Sequence, residues 1–424
     1  MAELRCLPRP ERRTRTDLTI TAAITAATVA LGGLVWLGSD ARSSNVEATA
    51  PVHELNADAS EEAVSAPGQL AETWSAPDEM EGLMMAEGGV ATKEDPTTVV
   101  MRAAATGEEA WRYTAAHEIC AAVPNWETIT VIMRGPKGCG QAVSLDADTG
   151  EYRYTRDALG ADTIHAFNSK DNIGLLSRER VELWRSDLVR TVEVGKQEAP
   201  AKPGLQEHLE CSFTSALTHS HLLVTVQSCP DQDKKLVRLL KAVPEESNEP
   251  EALHEYTVPA DSEVVAVSNG QAVIYAPGNG TPARDAQDNE GSRFQVLDEK
   301  GNFAQFPADV ADLGAHSEDG LWLAQVADLP QHKTWFDGRR LVSFNTSTLA
   351  PEYAVEGALG TGDVMGSDLL VPVAEGVAVV DPATGGVLRV IPVDRGGYTG
   401  PVTLRVAGTT VVEQRGDEVV ALAG

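Results

Sequence analysis

The residues of this chain best placed for chemistry are its cysteines, and the chemistry their spacing favours is disulfide formation. There are five: Cys6 precedes a long apolar run, whereas Cys120, Cys139, Cys211 and Cys229 follow it. Four cysteines allow three connectivities, and the local one, Cys120 with Cys139 and Cys211 with Cys229, is adopted. The second pair brackets CSFTSALTHSHLLVTVQSC, two strand-like runs folding about Ser220. In a hairpin centred there the two cysteines stand opposite each other at bridging distance. Cys139 begins a third strand and so faces Cys120 less directly. Each closed loop of this length would stabilise by about 3 kcal/mol. Buried free thiols are the alternative reading. A metal site is weaker still, since no CxxC occurs and His117 is the only histidine close to the first pair.

Other reactive constellations do not assemble. His219-Ser220-His221 would put two imidazoles on one face of a continuous strand, but a turn is expected there, leaving exposed loop histidines. Asp146-Ala147-Asp148-Thr149-Gly150 has the start of a calcium loop without its later oxygen ligands or terminal glutamate, and reads as a hairpin. Gly135-Pro136-Lys137-Gly138-Cys139-Gly140 lacks the following helix that would make an anion site, so it too reads as a tight turn. HExxH, GxSxG and the P-loop are absent, and Ser, His and Asp occur without an activating context.

The apolar run that divides the cysteines is Leu18–Leu37, LTITAAITAATVALGGLVWL, twenty residues without a charge. At about 1.5 Å per residue it makes a helix of about 30 Å, enough to cross a bilayer. Arg5, Arg9, Arg12, Arg13 and Arg15 precede it, against Glu3, Glu11 and Asp17. The positive-inside rule therefore places residues 1–17 in the cytoplasm and the rest of the chain outside the cytoplasmic membrane. Cleavage after Ser39-Asp40-Ala41 is the competing reading, but a secretory signal's apolar core is usually shorter. Cys6 then falls on the reducing side and the other four cysteines on the side where disulfides persist.

The formal charge is −29, of which residues 1–17 carry +2, leaving −31 for the remainder. Nucleic acid and anionic membrane surfaces are poor partners for such a chain. Aromatic residues make up 5 %, so valine, leucine and alanine must fill the core. Residues 38–66 are rich in small and acidic residues with little periodicity, and are expected to form a disordered, self-repelling linker.

From residue 67 to 424 short β-prone runs alternate with turn residues: LLVTVQ, EVVAVS, AVIYAP, LLVPVA, GVAVV, TVVEQ and EVVAL. Residues 231–242 have some helical spacing but are more consistent with a strand. One hairpin recurs, at Ala105-Thr106-Gly107, Asp146–Gly150, Asp298–Gly301, Asn345–Thr348 and Asp381–Gly385. The acid or amide caps backbone N–H groups and the glycine accepts positive φ. Spacings of about 40 residues match four-stranded propeller blades. The expected fold is all-β: a β-propeller with eight blades favoured and seven the alternative, preceded by one transmembrane α-helix and the linker. Blade boundaries are 77–115, 117–156, 163–197, 209–259, 262–308, 312–357 and 358–396. The last blade takes TLRVAG, TTVVEQ and DEVVALAG, and LAETWSAP from residues 70–77 completes it, hiding two sheet edges at once. Trp74, Trp111 and Trp184 are expected to pack between blades.

Hairpins followed by tryptophan, as in TGEEAW (106–111), resemble the repeats of pyrroloquinoline-quinone (PQQ)-type propellers. The chain more specifically resembles a family of actinobacterial membrane-anchored propeller proteins. The matching pieces are PERRTRTDL (10–18), SDAR (39–42), ELWRSDLVR (182–190), SCPDQ (228–232), LLVPVAEGVAVVDPATG (369–385), IPVDR (391–395) and VVEQRGD (411–417). The resemblance implies one cytoplasmic-membrane helix and an extracytoplasmic propeller, and no particular reaction. Quinone-dependent dehydrogenases of similar repeat carry adjacent cysteines and a calcium set, and this chain has no Cys-Cys pair. No catalytic residue, cofactor site or metal site is therefore assigned. Candidate partner-binding residues are Arg185 and Asp187, at a blade's outer turn, and Arg395 and Arg415, near the ring closure, with capped turns and ordinary surface positions as the alternatives. The expected function is that of a non-catalytic binding or assembly scaffold with an envelope protein as partner. A quinone- or metal-dependent enzyme and a small-ligand sensor are the rivals.

Overall fold

Turn residues every six to eight positions cut the chain into strands too short to bury themselves singly, and stacking four-stranded sheets around a ring solves that problem. The computed structural model describes residues 14–56, 63, 65–197, 200, 202–230, 232–311, 313, 317 and 319–424. Cys6 and most of the basic N-terminus lie outside the described residues. Two units are present, Met1–Asn45 and Val46–Gly424.

In the first unit, helix α1 covers Arg15–Leu37, starting three residues before the expected span. Thr14 and Asp17 explain the earlier start: each side chain bonds the other's backbone N–H, a reciprocal cap. Its apolar window has a mean hydropathy of 1.9 and none of its residues is buried by protein, so it is a candidate membrane span. A short helix, α2, follows at Asp40–Ser43.

The second unit is an eight-bladed β-propeller of antiparallel sheets. Blade 1 is Met84–Ala86, Gly89–Asp95, Thr98–Ala103 and Glu109–Thr114; blade 2 runs from Ile119 to Asp157, blade 3 from His165 to Gly195 and blade 4 from Ser212 to Pro259. Blade 5 runs from Glu263 to Pro307, blade 6 from Val326 to Glu356 and blade 7 from Asp363 to Pro392. Blade 8 takes Val402–Ala407, Thr410–Arg415 and Glu418–Ala423, and its outermost strand is Ala71–Pro77 from the other end of the chain. The run at 231–242 is a strand, Lys234–Lys241. The expected boundaries fall close to these except in blade 6, whose first strand begins at Val326 rather than near 312. The described residues between Pro307 and Val326 form a connection instead.

The middle strands of each blade lie between two neighbouring sheets and are buried on both faces. Leu222–Ser228 and Gly376–Val380 read as continuous apolar runs for that reason. Outermost strands meet protein on less of their surface, as in Val387–Pro392, where only Ile391 is buried.

The expected disordered linker is corrected in part. Asn45–Ala48 is a fifth strand on the outer edge of blade 1, and Val52–Leu55 forms a short helix, α3, with Val52 fully buried among Ala91, Met101 and Ala110. The His53 N–H and ring both bond Asp148, and Asn56 bridges Gly88 and Ala105. Apolar Val52 and the hairpin acceptors offset the ordering cost that composition alone suggested could not be met. Residues 57–62 and 64 of that stretch lie outside the described residues.

Neighbouring blades are joined by an aromatic side chain of one outermost strand resting on the next blade's hairpin. The Trp74 indole N–H donates to Ala104 O at 2.9 Å, that of Trp111 to Ala147 O at 3.0 Å, and the Tyr256 hydroxyl to Asp298 O at 2.6 Å. Gly150, at φ 75°, explains the glycine: a Cβ there would stand 2.7 Å from Trp111 Cγ. Trp184 also packs between blades, under the Arg156 guanidinium of blade 2 at 4.9 Å.

Trp111→Ala should cost about 3–5 kcal/mol, since it removes a fully buried ring and its hydrogen bond. Trp126→Ala, at an exposed turn, should stay within about 0.5 kcal/mol. Denaturant unfolding of both variants against the parent measures the contrast.

Candidate functional site

Each blade's first strand leaves the same face of the ring, so the turns separate into two sets. The connection face carries the links between blades and the turns between second and third strands. The hairpin face carries the turns between first and second and between third and fourth strands.

Both disulfides lie on the connection face. Cys211 and Cys229 flank the terminal pair Ser212↔Ser228 of the first hairpin of blade 4, with Cα atoms 4.1 Å apart, as expected from a turn at Ser220. Cys120 sits in a bulge of the first strand of blade 2 and Cys139 at the start of its third, with Cα atoms 6.1 Å apart. His219 and His221 flank the expected turn, His221 exposed and His219 half-buried, and each has a carboxylate partner. His219 meets Asp328 of blade 6 at 3.3 Å, and His221 meets Glu299 of blade 5 at 2.9 Å. The Gly135–Gly138 and Asp146–Gly150 segments are tight turns, the latter capped by Asp146 Oδ1 on the Thr149 N–H.

Arg395 and Arg415 come together on this face, but neither is a surface residue, which corrects their expected role. Both are buried on Glu413: Arg395 by a two-pronged contact at 2.6 and 2.9 Å, Arg415 at 2.8 Å. Arg395 also donates to Val373 O and Gly376 O, fastening blade 7 to blade 8. Charge paired with charge inside the ring demanded a third partner, Glu413, whose position two residues before Arg415 was the available sequence signal. Arg185 and Asp187 lie on the opposite face, closed on each other at 2.7 and 2.8 Å across an exposed turn. The structure therefore does not unite the four candidates into one site.

Similar buried pairs fasten other blades. Lys235 of blade 4 reaches Glu263 of blade 5 at 2.5 Å, and the other Glu263 oxygen accepts from Ser215 and Thr214 at 2.6 and 3.0 Å. Arg340 is held by Asp337 and by Asp309. Asp78, between blades 8 and 1, accepts from the backbone of Met80 and Lys93 and from Gln414. Burial pushes its carboxyl up to about 6 despite those bonds.

Beside the Cys211–Cys229 bridge the connection face opens into a cavity of about 510 Å³. Arg178, Thr214, Ser228, Lys235, Asp261 and Leu313 line it, from blades 3 to 5 and the 308–325 connection. The described residues of that connection pack against the blades on either side. The Trp322 N–H bonds Thr214 of blade 4, its ring packs against Trp335 of blade 6, and Leu321 is buried among Leu176, Phe213 and Leu223. Asp319 meets His165 Nε2 at 3.4 Å, while Glu81, from the link between blades 8 and 1, meets His165 Nδ1 at 2.9 Å. Glu81 holds the His165 imidazolium above the usual range for histidine. None of these residues was singled out in sequence; the one signal was the length of the gap between AQF and VAD.

Among the described residues two groups of potential metal donors occur, His208 with Glu210 and Cys211, and His208 with Glu207 and Glu255. Cys211 is bonded in its disulfide, and Arg238 already engages Glu207 and Glu255 at 2.8 and 2.7 Å. Those donors serve the fold.

Glu413→Gln should cost about 3–5 kcal/mol, because it leaves two buried guanidiniums without their countercharge. Asp78 should give a pH signature in unfolding. Its raised folded pKa means that its stabilising share is present below about pH 4 and lost as pH rises through about 6, by roughly 3 kcal/mol. Asp78→Asn should abolish that segment of the stability–pH curve.

No protein-family model matches the chain, and no curated protein does. Solved structures share its path at low identity. BamB from Moraxella catarrhalis is 14 % identical, with 84 % of this chain and 100 % of that one covered and a TM-score of 0.47. The europium-containing methanol dehydrogenase is 11 % identical over 84 % and 93 %, with a TM-score of 0.48. The computationally designed Ika8 protein is 15 % identical over 86 % and 100 %, with a TM-score of 0.49. These likenesses concern chain path alone, and the blade count rests on the sheet topology above.

Proposed function

We propose that this protein is a membrane-tethered, non-catalytic propeller that acts as a binding and assembly scaffold at the outer face of the cytoplasmic membrane. The observation that carries the reading is the construction of the connection face. Two disulfides, the Arg395–Glu413–Arg415 cluster and the Lys235–Glu263 pair hold it rigid around an open cavity. Charged groups there are spent on one another across blade boundaries. A pre-ordered surface loses little entropy when a partner docks, which suits a platform.

The apolar α1 supports the anchor, and the basic residues before it support an inner N-terminus. The paired cysteines support an oxidising compartment. The formal charge of −29 disfavours nucleic acid and favours a protein partner. The cavity keeps a small-ligand reading in view as the alternative.

Affinity capture of the full-length protein from solubilised membranes tests the proposal. A defined envelope protein should co-purify in stoichiometric amount and be lost with Arg178→Glu at the cavity. Recovery of the chain alone, with substrate-dependent reduction of an added quinone or dye, would replace the scaffold with an enzyme. In the same preparation, Cys120, Cys139, Cys211 and Cys229 should resist alkylation until reductant is added.

A further inference from the structure

Trp126, Tyr152 and Tyr154 all belong to blade 2 and are unusually open for aromatic residues, at 39, 51 and 46 % exposure. Trp126 occupies the turn between the first and second strands, at φ 50°, where a polar residue or glycine is the usual choice. Tyr152 and Tyr154 begin the outermost strand, directly after the Asp146–Gly150 hairpin. All three lie on or beside the hairpin face. Val189, Val243, Phe303, Val387 and Leu388, exposed at or after other outer hairpins, lie toward it as well, whereas Leu159 and Leu209 lie on the connection face.

The first residues of the propeller unit dock on this side too. The docked segment, from Asn45 through α3, is bonded to the hairpins of blades 1 and 2 at Ala105 and Asp148 and to the Gly88 turn. Seven residues, 38–44, separate the apolar helix from that segment. Fully extended they reach no more than about 28 Å. Tryptophan and tyrosine, apolar in body and polar at the tip, are the side chains that favour the head-group zone of a bilayer.

We propose that the hairpin face at blades 1 and 2 is a membrane-apposition surface, with Trp126, Tyr152 and Tyr154 seated among the head groups of neutral phospholipid. The choice of neutral lipid follows from charge. Glu87, Asp146, Asp148 and Glu127 gather at these turns, and burial with its neighbouring carboxylates holds Glu87 above the usual carboxylate range. An anionic surface would be repelled. The connection face, with its cavity and disulfides, is then left free for partners. The inference rests on the anchor reading above and adds the surface that meets the lipid.

The test uses the full-length chain carrying Trp36→Phe, which silences the indole of α1, in phosphatidylcholine vesicles containing dibrominated phosphatidylcholine. Flotation reports anchoring, and bromine quenching reports the depth of the remaining tryptophans. The protein should float, and quenching should fall about twofold when Trp126→Phe is added, since Trp111, Trp184, Trp322 and Trp335 are buried and Trp74 is half-buried against Ala104. Tyr152→Asp with Tyr154→Asp should leave flotation intact and relieve the quenching. Replacing a third of the lipid by phosphatidylglycerol should weaken it. Flotation with quenching indifferent to Trp126 would overturn the apposition surface and leave the anchor standing. Stronger quenching with phosphatidylglycerol would overturn the neutral-lipid assignment. Failure to float would bring down both.

Discussion

The ring depends on one pairing, that of Ala71–Pro77 with Glu418–Ala423. Eight sheets arranged in sequence would leave the last blade a strand short and expose an edge ready to pair with another chain. Drawing the missing strand from the opposite end of the chain completes that sheet and ties the first blade to the last. The other contacts between blades, aromatic and ionic, can hold their geometry only because the circle is shut.

Apart from His219–Asp328 and His221–Glu299 on the hairpin side, those contacts divide by face, and the division has a physical basis. On the hairpin side a tryptophan or tyrosine rests on the neighbour's hairpin and donates to one of its carbonyls, at Ala104, Ala147 or Asp298, a contact that mixes burial with one neutral hydrogen bond. On the connection side the links between blades differ in length and cannot repeat a motif. Charged side chains reach across them instead, as in Arg395–Glu413 and Lys235–Glu263. Such pairs contribute little net stability when intact, yet are costly to break, so they specify blade order more than they strengthen it. The disulfides add a constraint that does not depend on protonation. Rigid on one side and aromatic on the other, the ring offers two unlike surfaces.

Much of this was legible in the residues. Asp with a glycine three or four residues on, as at Asp146–Gly150, Asp298–Gly301 and Asp381–Gly385, marked outer hairpins, because a tight turn has few chemical solutions. The strand at 70–77, isolated from any hairpin, announced the ring closure. Cys211 and Cys229, equidistant from Ser220, announced their bridge. The linker was misjudged because Val52 and Asn56 find partners only on hairpins of blades 1 and 2, up to about a hundred residues away in the chain. Arg395 and Arg415 were misjudged for a similar reason. A guanidinium in a polar loop reads as surface until the carboxylate that takes it inside, Glu413, is placed beside it.

By itself the sequence determined local matters and their periodic sum: an apolar helix, turns, short strands and a repeat of about 40 residues, with cysteines spaced for local pairing. These follow from steric and hydrogen-bonding preferences that act over a few residues. Only the tertiary structure decided that the blades number eight rather than seven, which polar groups are buried and which aromatics stay open. Burial and pairing at those places depend on neighbours from other blades, and only closure of the ring brings those neighbours together.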